Sequence, residues 1–299
     1  MNKGILAGIG AYMFWGLFPI YWRLLEEVPA IEILTNRMVW SFVFMAIILT
    51  VQKDWEWFRE AAHNRKTLLT YTLAAILLSI NWFTYIWAVN AGFVVEASLG
   101  YFINPLVNIL LGVIFLGEKL RRGQVAAVIL AGLGVVYLTI SYGSLPWISL
   151  VLAFTFGMYG LIKKTAKLES MHGFSLETTV LFLPALLFLL YREANSVDAL
   201  VHQGPAVTLL LVLAGPVTSI PLLLFGYSAR RIPLSMLGFI QYIAPTLQFM
   251  LGVFVYVEPF PPTRLVGFSI IWLALLVYSL ESVFYNRKEK PEVSLVEPL

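Results

Sequence analysis

The sequence predicts an all-α polytopic membrane protein of ten transmembrane helices, arranged as two inverted five-helix repeats with both termini cytoplasmic. Three observations carry that prediction. The composition is that of a lipid-embedded chain, the apolar runs have bilayer length with basic clusters alternating between them, and the two halves of the sequence match each other.

Of 299 residues, 60% are hydrophobic and only 12% are charged. Soluble domains carry about 25% charged residues, so the bilayer is the first partner to expect. A net charge of +3 would also suit a nucleic-acid binder, but the basic residues sit in short clusters between apolar runs, where they orient a membrane protein. No nucleic-acid partner is therefore expected. Cysteine is absent, which removes disulfides, thiolate metal sites and a cysteine nucleophile. His63, His172 and His202 all fall in predicted loops, so neither an intramembrane metal centre nor any other cofactor is expected.

The first apolar run, 4–23, is too long for a signal peptide and lacks a small-residue cleavage site, so it reads as a retained first span. The others are 33–51, 68–90, 97–117, 123–140, 146–162, 174–191, 206–227, 235–256 and 264–284. Each is close to the length of about 20 residues that crosses the hydrocarbon. Between the second and third, "QKDWEWFREAAHNRKT" (52–67) carries two tryptophans and reads as an interfacial amphipathic piece. The tail, 286–299, has little to bury and is expected to be disordered. With both termini inside, sixteen of the twenty Lys and Arg residues are cytoplasmic, which is the asymmetry that orients such proteins.

Ile103, Pro105, Leu111, Gly112, Val113 and Glu118 recur at the same mutual spacing as Ile243, Pro245, Leu251, Gly252, Val253 and Glu258. Leucines and valines match by chance among apolar helices; a proline, a glycine and a glutamate held in register do not. The predicted domains are thus a first repeat, 1–141, a second, 142–285, and the tail, 286–299. Five spans per copy is an odd number, so the second copy is inserted upside down. Inverted repeats are the signature of secondary transporters, whose halves rock around a shared site.

Tyr101, Asn104 and Asn108 lie on one face of the fourth span, with Gln241, Ala244 and Gln248 at the equivalent positions. Pro105 and Pro245 each withdraw a hydrogen-bond donor and kink the helix, freeing the carbonyls of Tyr101 and Gln241. An orphan carbonyl is costly in lipid, so this face should line a wet cavity or pack on protein. Asn81, Tyr85 and Asn90 on the third span, with Trp15, Tyr242 and Arg37, complete the expected substrate cavity. Arg37 either snorkels or binds a carboxylate group of the substrate. The aromatic and amide content suits an amphipathic, partly aromatic solute.

No Asp or Glu appears at the centre of a span, so the sequence supplies no midplane proton relay. Glu96, Glu118 and Glu258, all near helix ends, are the candidates for coupling or gating; for each, capping or ion pairing is the alternative.

The stretches "GLFPIYWR" (16–23), "IEILTNRMVWS" (31–41), "NWFTYIWAVNAGFVVEASLGYFINPLVNILLG" (81–112) and "PLLLFGYSARRIPLSMLGFIQYIAPT" (221–246) resemble the chloramphenicol-sensitivity permeases of the EamA family, in the drug/metabolite transporter superfamily. The resemblance covers residues 1–285. It implies a ten-span protein of the bacterial inner membrane with two EamA repeats and a central cavity, acting as an exporter. Asn36 departs from the pattern, which has His before the arginine, so proton handling by that side chain is not carried over.

The expected function is export of small amphipathic metabolites or drugs such as chloramphenicol, by alternating access. A passive channel or facilitator is the alternative. An intramembrane enzyme is disfavoured because neither H-E-x-x-H nor a nucleophile elbow appears. Protons as the coupling ion, and the oligomeric state, stay open.

Overall fold

A computed structural model of the protein describes residues 2–90, 94–142, 147–195, 203–255 and 262–288. All regular structure among them is helical: α1 (Lys3–Arg23), α2 (Ala30–Gln52), α3 (Glu56–His63), α4 (Arg65–Asn90), α5 (Val94–Leu116), α6 (Arg122–Tyr142), α7 (Trp147–Thr165), α8 (Ser170–Ala194), α9 (Pro205–Ala229), α10 (Leu234–Gln241), α11 (Ile243–Met250) and α12 (Pro262–Lys288). Among the described residues, eight helices are long and apolar enough to cross a bilayer, namely α1, α2 and α4–α9. Within α12 the stretch Leu265–Tyr278 is also apolar. The side chains sort as lipid demands: Ile114 and Ile140 are 68% and 74% exposed, while Asn36, Asn108, Ser149 and Ser219 are fully buried.

The interfacial piece forms as the short helix α3. Its end carries His63, and His172 lies in the first turn of α8, so both are helical and not in loops as the sequence suggested. His172 Nε2 bonds Asp54 at 2.6 Å and its ring stacks on Trp57, which ties the segment before α3 to α8. The ninth expected span, 235–256, is not one helix. It is interrupted at Tyr242 between α10 and α11 and ends in a π-helical turn, Leu251–Val255. Asn286–Lys288, assigned to the tail by sequence, continue α12.

The chain forms two compact units. The first, Met1–Glu118 with Leu145–Pro259, holds α1–α5 and α7–α11. In it α5 packs on α7 and α10, α2 on α8 and α9, and α1 on α9 and α11. The second, Lys119–Ser144 with Phe260–Leu299, pairs α6 with α12. In that pair an added Cβ at Gly134 would meet Ile271 at 2.9 Å, and Arg121 forks onto Glu281 at 2.7 and 2.8 Å. Each unit thus draws one segment from each expected repeat.

Candidate substrate cavity

The first unit holds a cavity of about 80 Å³. α1 supplies Tyr12, Trp15, Phe18 and Trp22, α2 supplies Arg37, and α4 supplies Asn81, Trp82 and Tyr85. α5 adds Tyr101 and Asn104, α7 adds Phe156, and the α10–α11 break adds Gln241, Ala244, Pro245 and Gln248. Both halves of the sequence therefore line it.

An amide cluster forms one wall. Gln241 Nε2 donates to Asn104 Oδ1 at 2.6 Å, and Asn108 Nδ2 donates to Gln241 Oε1 at 2.8 Å. Tyr12 OH donates to the same Gln241 oxygen at 3.3 Å, and Asn104 Nδ2 donates to the carbonyl of Ala153 at 2.8 Å. One residue, Gln241, thereby ties α1, α5 and α10 together. Each such interhelical bond contributes about 0.6 kcal/mol on average in a membrane, but an orphaned partner there costs more. Asn81 Nδ2 donates to Leu152 O and Thr155 Oγ1, and Gln248 Nε2 donates to Trp15 O.

Arg37 is 6% exposed, with its guanidinium carbon 4.6 Å from the Trp22 ring centroid and 4.2 Å from that of Trp82. Its Nε donates to Thr218 Oγ1 at 2.9 Å. No described carboxylate lies within ion-pair distance of it. Arg37 therefore does not snorkel to a surface; it is held on aromatic faces at the cavity wall.

Below the amides the cavity is closed by aromatic rings. Trp15 meets Tyr12, Phe156 and Phe225 at 5.2–5.7 Å, and Phe225 stacks on Tyr159 at 6.0 Å. Tyr159 OH then donates to Glu177, which pairs with Lys163 at 2.9 Å, all three buried. At the same helix ends, Lys164 donates to the carbonyls of Ala229 and Ile232, and Arg230 to those of Ala166 and Leu168.

Glu118 belongs to this stitched side and not to the cavity. Its carboxylate accepts from the N–H groups of Leu234 and Ser235 at 2.6 and 2.9 Å and from Ser235 Oγ at 2.7 Å, capping α10. It reaches them because Gly117 turns the chain with φ +65° and the Glu118 N–H bonds back to Gly112 O. A Cβ on Gly112 would lie 2.7 Å from that carboxylate, so the glycine leaves room for Glu118 to fold back.

Of the predicted cavity residues, the structure brings together Trp15, Arg37, Asn81, Tyr85, Tyr101, Asn104, Gln241 and Gln248. Asn108 stands behind the wall, fully buried against Gln241. Tyr242 also lies outside the lining and donates to Phe102 O. The side chains of Asn90 and Glu96, and residue Glu258, fall outside the described residues. Asn36 is fully buried, with Nδ2 donating to Glu32 O, and does not line the cavity. Sequence reasoning missed Tyr12 and Trp22, which share a helix face with Trp15 at i, i+3 and i+10, and it passed over Glu177, a carboxylate inside the apolar run 174–191.

The family model that matches residues 2–140 is described as the EamA-like transporter family. An uncharacterized transporter, YojE, of Bacillus subtilis is 47% identical over 293 residues, covering 97% of each chain. Protein RarD of Streptomyces exfoliatus is 47% identical over 297 residues, covering 99% of this chain and 94% of its own. The chain belongs to the EamA-like transporter family. A crystal structure 16% identical in sequence superposes with a TM-score of 0.69 over 93% of this chain and 98% of its own, which shows the same fold. Membership in the family and the apolar helices together make this a multi-pass membrane protein.

Proposed function

We propose that the protein is a secondary transporter, an exporter of small amphipathic metabolites or drugs in the bacterial inner membrane, working by alternating access between two inverted five-helix repeats. The observation that carries this reading is the amide cluster at the cavity, where Gln241 of one half bonds Asn104 and Asn108 of the other. A cavity built jointly from both halves is what rocking of one half against the other would open and close. With the termini cytoplasmic, the stitched ends at Lys164, Arg230 and Glu118 face the cytoplasm, and the cavity extends from Tyr12 towards Trp22 on the outer side. Chloramphenicol enters as a trial substrate because a relative in Pseudomonas aeruginosa, 30% identical over 292 residues, carries the name chloramphenicol-sensitive protein RarD.

Counterflow in proteoliposomes tests the reading, with labelled chloramphenicol, aromatic amino acids and small amphipathic metabolites, with and without an imposed pH gradient. Accumulation driven by unlabelled solute on the opposite side is the expected result, and its gradient dependence reads proton coupling. Flux without counterflow would replace the carrier with a channel.

A further inference from the structure

Arg37 poses a problem of charge. Its side chain is enclosed in the first unit, and among the described residues that line the cavity it is the one charged group. A buried cation without an anion is strongly disfavoured, and rings alone offset part of that cost. Yet the guanidinium is firmly placed, over Trp22 and Trp82 and anchored through Nε on Thr218. That anchoring uses one of its five N–H donors, and no other bond from the guanidinium appears among the described residues. Tyr85 and Tyr101 line the same cavity.

We infer that the cavity is a site for a small organic monocarboxylate with a planar, apolar body, its carboxylate taken by the free edge of Arg37. This rests on the carrier reading above and names its substrate class. The guanidinium fork matches a carboxylate in two parallel hydrogen bonds. A single lining cation selects a single negative charge, so a phosphate ester, with two, is poorly matched. No described lining residue carries a carboxylate to receive an ammonium, which sets a monoanion above a zwitterion or an amine. The rings of Trp15, Trp82 and Phe156 supply flat apolar walls for the body.

The test is binding to the purified, detergent-solubilised protein, read by tryptophan fluorescence since Trp22 and Trp82 flank the guanidinium. Phenylacetate, phenylacetamide and phenethylamine are titrated at neutral pH and constant chloride. Phenylacetate should bind about tenfold or more tighter than the neutral amide of the same shape, as a charge-assisted bidentate pair requires. Arg37→Gln should bring that ratio close to one, and Arg37→Lys should retain part of it. Equal or inverted affinities in the wild-type protein, or no saturable phenylacetate binding to it, overturn the inference even where Arg37→Gln fails to fold. An unchanged ratio in folded Arg37→Gln overturns it too. Counterflow separates the two readings: anion-selective binding without counterflow keeps this site and removes the carrier, whereas counterflow without anion preference does the reverse.

Discussion

α5 around Pro105 and α10–α11 around Pro245 share a residue pattern in the sequence but are not the same object in space. α5 runs uninterrupted through its proline from Val94 to Leu116, whereas the other segment breaks at Tyr242, three residues before Pro245. Each proline removes the same hydrogen bond and crowds the carbonyl four residues back. Neighbours decide the outcome. α5 is pinned on both sides, by Asn104 to the Ala153 carbonyl of α7 and by Gly238 of α10, where an added Cβ would lie 2.7 Å from Pro105 O. At the second break the long side chain of Gln241 leaves its own helix to join Asn104 and Asn108, and Ala244 replaces the amide that Asn104 supplies, leaving room in the cavity. Two segments that share a sequence pattern are thus a strut, in α5, and a broken joint, at α10–α11.

The comparison breaks most readily at its shared node. Asn104→Leu orphans Gln241 Nε2 and removes the side-chain bond to the Ala153 carbonyl, and should lower stability by about 2 kcal/mol while the protein still inserts. Counterflow should fall at least about tenfold, and normal flux would separate the amide cluster from transport. Next in size is the cap: Glu118→Ala removes three hydrogen bonds from the start of α10 and should cost about 1 kcal/mol, read as a lower melting temperature in detergent. Pro245→Ala and Pro105→Ala sharpen the contrast directly. Pro245→Ala restores a donor at the break and should slow transport several-fold without loss of stability, while Pro105→Ala should change transport by less than about twofold. Equal effects of the two would deny the strut and joint. Gln248→Leu removes one bond to the Trp15 carbonyl, so it should show the smallest effect, about 0.6 kcal/mol in stability with a modest loss of counterflow.

The polar part of this site was legible because lipid makes each polar group conspicuous: Arg37, Asn81, Tyr101 and Asn104 interrupt apolar runs, and all four reach the cavity. Asn108 shares their helix face, yet being one turn further along is enough to put it behind the wall, which periodicity alone does not resolve. Trp22, Phe18 and Phe156 were hidden for the opposite reason, since an aromatic ring is equally at home against lipid, at an interface or around a solute. Glu177 needs Lys163, its buried partner on another helix, and nothing in the sequence marks the two as a pair. The helices were more legible than the site, because bilayer length acts on whole segments, while the break at Tyr242 depends on what packs beside it.

The central claim is that one cavity, lined by both halves, opens in turn to each side of the membrane. The chain has no cysteine, so Ala244→Cys places a lone thiol at the cavity wall. A small membrane-impermeant thiol reagent is then applied to right-side-out and to inverted vesicles. Reaction from both sides, slowed on both by a transported solute, is the predicted result; reaction from one side alone would contradict alternating access.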